Sequence, residues 1–61
     1  MMPKYLIISR YDEDVHFYYT EKPETVTVVC ATLRDFDHPY EIYQYDTETG
    51  YQRTTRWPAQ A

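Results

Sequence analysis

The chain has one cysteine and one glycine, and each scarcity excludes a class of protein. Cys30 alone cannot close an intramolecular disulfide, and no Cys-x-x-Cys pair or His/Cys cluster offers a zinc site. A reducing compartment is therefore expected, and self-association remains as the way for so short a chain to gain buried area. With Gly50 as the only glycine, a glycine-rich phosphate loop is excluded. No stretch of even ten residues is continuously apolar, so no membrane span is expected. Met1-Met2-Pro3-Lys4 is not followed by the apolar run and small-residue cleavage site of a secretory leader. The expected location is the cytoplasm.

Positive charge is also scarce, and it is unevenly placed. All ten carboxylates fall between Tyr11 and Glu48, where Lys22 and Arg34 are the only bases, so that stretch carries a net charge of −8. The two ends hold Lys4, Arg10, Arg53 and Arg56 and no acid, which brings the whole chain to −4. A nucleic-acid binder would show a basic stripe instead, so direct binding to DNA or RNA is not expected.

What the chain has in abundance is aromatic surface: eight tyrosines, two phenylalanines and a tryptophan among 61 residues. A domain of this length buries only ~60% of its unfolded surface, and large aromatic side chains make up part of the deficit. The expected organisation is one domain over residues 1–57 with a flexible tail at 58–61.

Along the chain, Lys4–Arg10 is a nearly continuous apolar run and predicts a strand covered on both faces. Asp12-Glu13-Asp14 forms a turn cluster, because short acidic side chains satisfy local backbone donors. Val15–Thr20 alternates, placing Val15, Phe17 and Tyr19 on one side and His16, Tyr18 and Thr20 on the other, so residues 4–20 predict a hairpin. Thr25–Phe36 satisfies two periods. Its β-branched content suits a strand, yet Val26, Val29, Cys30, Leu33 and Phe36 form one helical stripe, with Val28 the misfit. Lys22-Pro23-Glu24 supplies a helix start and Asp37-His38-Pro39 a stop, so a helix within 23–36 is preferred. Tyr40–Asp46 alternates again, Tyr51–Trp57 is rich in threonine and aromatics, and Gly50 ends the loop between them, predicting a second hairpin at 40–57.

The predicted fold class is α+β, with two hairpins flanking one helix (ββαββ) and a four-stranded antiparallel sheet. A small all-β barrel-like fold is the alternative should 25–33 be extended. One helix covers one face of such a sheet, which leaves the other face, with part of the tyrosine set, in want of a partner.

No combination of residues makes a strong catalytic or metal-binding motif. Asp35, Asp37, His38 and Glu41 read as a solvated helix boundary, and Asp12-Glu13-Asp14 lacks the spacing of a calcium loop. His16 has no adjacent base or nucleophile, and Cys30 reads as a small core residue. No catalytic residue, cofactor or metal is therefore expected. The tyrosines Tyr18, Tyr43 and Tyr45, with the carboxylates Asp12, Glu13, Asp14, Asp35, Asp37, Asp46 and Glu48, make up the expected partner-binding set. Tyrosine anchors contacts at low entropic cost, and acidic groups steer a basic partner.

The opening Lys4-Tyr5-Leu6-Ile7-Ile8-Ser9, the aromatic second strand and the closing Glu41-Ile42-Tyr43-Gln44-Tyr45-Asp46-Thr47-Glu48-Thr49-Gly50 resemble short uncharacterised bacteriophage and prophage reading frames with a ββαββ domain. The resemblance implies a viral or mobile-element origin and a host-cell cytoplasmic location, and it implies no activity. Phage proteins this small are often inhibitors or adaptors of host proteins. The leading expectation is thus a non-enzymatic acidic protein that binds and inhibits a host or partner protein, working as a homodimer. An acidic DNA mimic and an assembly subunit acting by oligomerisation are the alternatives.

Overall fold

In the computed structural model, which describes residues 3–59, the chain folds as β1 (Tyr5–Tyr11), β2 (Asp14–Thr20), α1 (Pro23–Asp35), β3 (Tyr40–Asp46) and β4 (Gly50–Trp57). The strands form one open antiparallel sheet in the order β2-β1-β3-β4, so the fold is α+β and ββαββ and not a barrel. Of the predicted tail, Gln60 and Ala61 lie outside the described residues.

Each local choice has a cause. The β1–β2 loop has two residues, and both Asp12 (φ 55°) and Glu13 (φ 63°) take the left-handed conformation that a tight hairpin turn requires. At the other hairpin Gly50 supplies the positive φ of 80°, and the Asp46 carboxylate accepts the amides of Glu48 and Thr49 at 2.7 and 3.3 Å. The helix starts with Pro23 in its first turn. It ends in a pair of reverse bonds, His38 N–H to the Leu33 carbonyl and Asp37 N–H to the Arg34 carbonyl, with Asp37 left-handed at φ 60°. The stop therefore falls at Asp37, two residues before Pro39. Inside the helix, Thr27 and Thr32 return their hydroxyls to the carbonyls of Pro23 and Val28, which keeps those polar groups bonded despite their β propensity.

The helix lies over β1 and β2, and Ile7, Cys30, Leu33 and Tyr40 form the buried core, flanked by Val26, Val29, Ile42, Tyr11, Tyr18 and Trp57. The predicted stripe holds at Val26, Val29, Cys30 and Leu33. Phe36 departs from it: the chain has left the helix there, and its ring is 68% exposed. The expectation that the first strand is covered on both faces also needs correcting. Ile7 and Ser9 are fully buried beneath the helix, whereas Leu6 and Ile8 point to a face with no second layer and are half-buried.

Candidate interaction face

Residues opposite one another in an antiparallel ladder share a face, so the register sorts every strand residue. The face away from the helix has two complete rows. One runs Phe17, Ile8, Glu41, Arg56, and the next runs Tyr19, Leu6, Tyr43, Arg53, each in the order β2, β1, β3, β4. Val15 and Arg10 extend it at one end, and Tyr45 with Tyr51, their rings edge to face at 5.2 Å, extend it at the other.

The two edges of this face differ in chemistry. Along β2 the rim is apolar: Val15, Phe17 and Tyr19 are 41, 55 and 58% exposed. Along β4 it is cationic, because a bulge inserts Thr54 opposite the Ile42–Tyr43 step and shifts the alternation. Arg53 and Arg56, three apart in sequence, would otherwise point to opposite sides. The bulge brings both to the open face, and the Thr54 hydroxyl donates to the Ile42 carbonyl at 3.3 Å. Between the edges sits Glu41. It accepts Arg53 Nη1 at 3.1 Å and the Tyr43 hydroxyl at 3.1 Å, and Arg10 Nη1 lies 3.7 Å away. Burial opposes its ionisation, but the bonds from Tyr43 and Arg53 and the charges of Arg53 and Arg10 prevail and hold the carboxyl below the usual glutamate range. Burial first, and the bond to Glu41 second, push the Tyr43 phenol up.

The predicted partner-binding residues do not gather in one place. Tyr43 and Tyr45 lie on the open face. Tyr18 does not: opposite Ile7, it points under the helix, where its hydroxyl bonds that of Tyr11 at 2.8 Å. The bond with Tyr18 also raises the Tyr11 pKa, with burial adding to it. Asp12, Glu13 and Asp14 share one end of the molecule with Asp35 and Asp37, since His38 and Tyr11 stack at 3.8 Å and tie the helix exit to the first hairpin. Asp46 and Glu48 lie at the far end, in the β3–β4 turn. The acidity thus collects at the two ends, while the open face between them carries three arginines around one glutamate. None of Arg10, Glu41, Arg53 and Arg56 was in the expected partner-binding set: the strand order brings Arg10 and Glu41 together, and only the bulge sets both β4 arginines on that side.

The residues weighed for chemistry are occupied elsewhere. His16 stacks on Tyr11 at 3.9 Å, opposite His38, and its Nε2 is 3.3 Å from the Tyr11 carbonyl oxygen. Cys30 is buried under the helix, and burial raises its thiol pKa against the smaller opposing effects of Tyr40 and Arg34. Glu41 is on the open face, away from the covered-face stack of His38 on Tyr11, so the imagined Asp35/Asp37/His38/Glu41 cluster is not assembled. Among the described residues no group of three or more His, Cys, Asp or Glu side chains is placed to hold a metal ion, and no helix is long and apolar enough to cross a membrane. A cleft of about 210 Å³ opens between Arg10, Glu41, Arg56 and Trp57 at one corner of the open face.

Comparison with protein-family models, with curated proteins and with solved structures finds no match to this chain.

Proposed function

We propose that the chain is a non-enzymatic protein-binding domain whose working surface is the open face of its sheet. The observation that carries this reading is the exposure of Val15, Phe17 and Tyr19 along one strand of that face, contiguous with Leu6, Ile8, Tyr43 and Tyr45. A contiguous apolar patch rimmed by charge is the surface that protein interfaces use, with aromatics and arginine as its anchors. Docking of this kind masks the surface it covers, which is how a domain without chemistry inhibits, and the resemblance to phage reading frames adds a viral origin to the proposal. A photo-cross-linking residue at position 17, compared with one at position 28 on the outer side of the helix, tests it in cells. Discrete protein adducts from position 17 alone are expected; adducts from position 28 alone, or none from 17, overturn it.

A second reading, the acidic DNA mimic, draws on the gathering of Asp12, Glu13, Asp14, Asp35 and Asp37 at one end. It expects a basic-groove partner whose association slows several-fold when Asp12, Glu13 and Asp14 are all changed to lysine.

A further inference from the structure

Resting on the open-face reading, we infer that the occupant of that face is a second copy of the chain. Its twofold axis runs parallel to the strands, between β1 and β3, and sets the aromatic edge of each sheet over the arginine edge of the other.

Two like sheets packed face to face are related by a twofold axis lying in the plane between them. The axis can run across the strands or along them. Across, β2 lies over β2 and β4 over β4, which forces Arg53 and Arg56 of both copies together. Along, the strand order β2-β1-β3-β4 is reversed on top of itself, so β2 meets β4 and β1 meets β3. The two rows then pair term by term. Phe17 meets Arg56 of the second copy, Ile8 meets Glu41, Leu6 meets Tyr43, and Tyr19 meets Arg53. Guanidinium groups lie on aromatic faces, a contact that strengthens as water is excluded. Glu41 is the one carboxylate that enters the centre, and it arrives already held by Arg53, Tyr43 and Arg10. Its neutralisation inside each copy is what lets a glutamate stand opposite Ile8.

The area agrees with a modest affinity. Four strands ~4.8 Å apart and seven residues of ~3.3 Å make a face of roughly 19 by 23 Å. Two such faces remove about 900 Å² in projection, more with side-chain relief, which places the pair among the small, weak interfaces. A dimer in the micromolar range is expected.

Sedimentation or light scattering from about 5 to 500 µM reads this directly. The wild-type mass rises from 7.4 kDa towards twice that value. Phe17→Lys sets like charge against Arg56 and weakens the dimer at least about ten-fold, whereas Phe17→Glu faces a guanidinium and stays several-fold tighter than Phe17→Lys. Val28→Lys, at a still more exposed apolar site on the helix, leaves the mass unchanged. Circular dichroism checks that each variant is folded. Nuclear Overhauser contacts between the Phe17 ring and the Arg56 side chain report the second copy without any substitution, since β2 and β4 are ~14 Å apart within one sheet. Equal losses in Phe17→Lys and Phe17→Glu contradict the edge pairing, because stacking β2 on β2 penalises both charges alike. A mass of 7.4 kDa at every concentration overturns the dimer. Should position 17 still cross-link a different protein in cells, the open-face reading stands while this inference falls; if it cross-links nothing, both fall.

Discussion

The two faces of this sheet are built from the same strands by opposite rules. On the helix side, Ile7, Ser9 and Tyr40 are shut off from water and their polar atoms are bonded: the Ser9 hydroxyl donates to the Pro39 carbonyl at 2.7 Å, and the Tyr40 hydroxyl accepts Arg34 Nε at 3.1 Å. Trp57 closes that side by stacking on Tyr40 at 5.8 Å, with the Arg34 guanidinium 5.6 Å from its ring centre. On the other side, β2 turns out Val15, Phe17 and Tyr19, its more apolar alternation, and turns in His16, Tyr18 and Thr20. A strand that only had to build a core would do the reverse. The more polar set serves the helix side, where the Tyr11 and Tyr18 hydroxyls bond each other, His16 Nε2 lies near the Tyr11 carbonyl oxygen and His38 stacks on Tyr11, and the apolar set faces the open side.

The contrast predicts a graded response to substitution. Ile7→Ala empties the fully buried core position and is expected to lower stability by about 3 kcal/mol, enough to unfold a domain of this size at moderate temperature. Its neighbour Ile8→Ala, on the open face, is expected to lower the stability of the isolated monomer by only about 1 kcal/mol; denaturant titration of both breaks the comparison if the two losses are equal. Ser9→Ala removes a fully buried hydroxyl and leaves the Pro39 carbonyl short of a donor, an expected loss of about 1–2 kcal/mol by the same titration. Glu41→Gln sharpens the comparison through pH. The Glu41 carboxyl is held below its ordinary value, so as the pH falls the unfolded chain takes up that proton first. The wild type therefore loses this stabilising contribution from the ordinary glutamate range downward, so thermal melts of Glu41→Gln should show a modest loss at neutral pH and a flatter acid limb that converges on the wild type. Phe17→Ser should change the melting temperature of dilute protein least of all, because its ring is already largely in water.

Much of the fold was legible. Period-two alternation located β2 and β3, an apolar run located β1 and threonine and aromatic content β4, the acidic cluster and Gly50 located the two hairpin turns, and the Val26/Val29/Cys30/Leu33 stripe outweighed β-branched propensity for the helix. The misplacements have two causes: periodicity fails where the backbone leaves a regular period, and local pattern does not encode which strands pair. Phe36 sits one residue past the helix, where 3.6-fold spacing no longer applies. Arg53 and Arg56 share a face only through the Thr54 bulge, which no residue in Tyr51–Trp57 announces. Tyr18 and Tyr43 belong to opposite faces because β1 lies between β2 and β3 and fixes both registers, a long-range pairing that local pattern does not encode. Charge read along the chain located the acidic clusters in the turns and at the helix exit, but not the gathering of arginines on the sheet, which depends on strand order and the bulge.

The claim that a second copy covers the open face is tested most directly by following backbone and side-chain resonances as the protein is diluted. Shifts concentrated at Leu6, Ile8, Phe17, Tyr19 and Tyr43, with Val28, Ala31 and Thr32 on the helix unmoved, are the predicted result. Shifts confined to the helix, or a spectrum that does not change with concentration at any open-face residue, would contradict it.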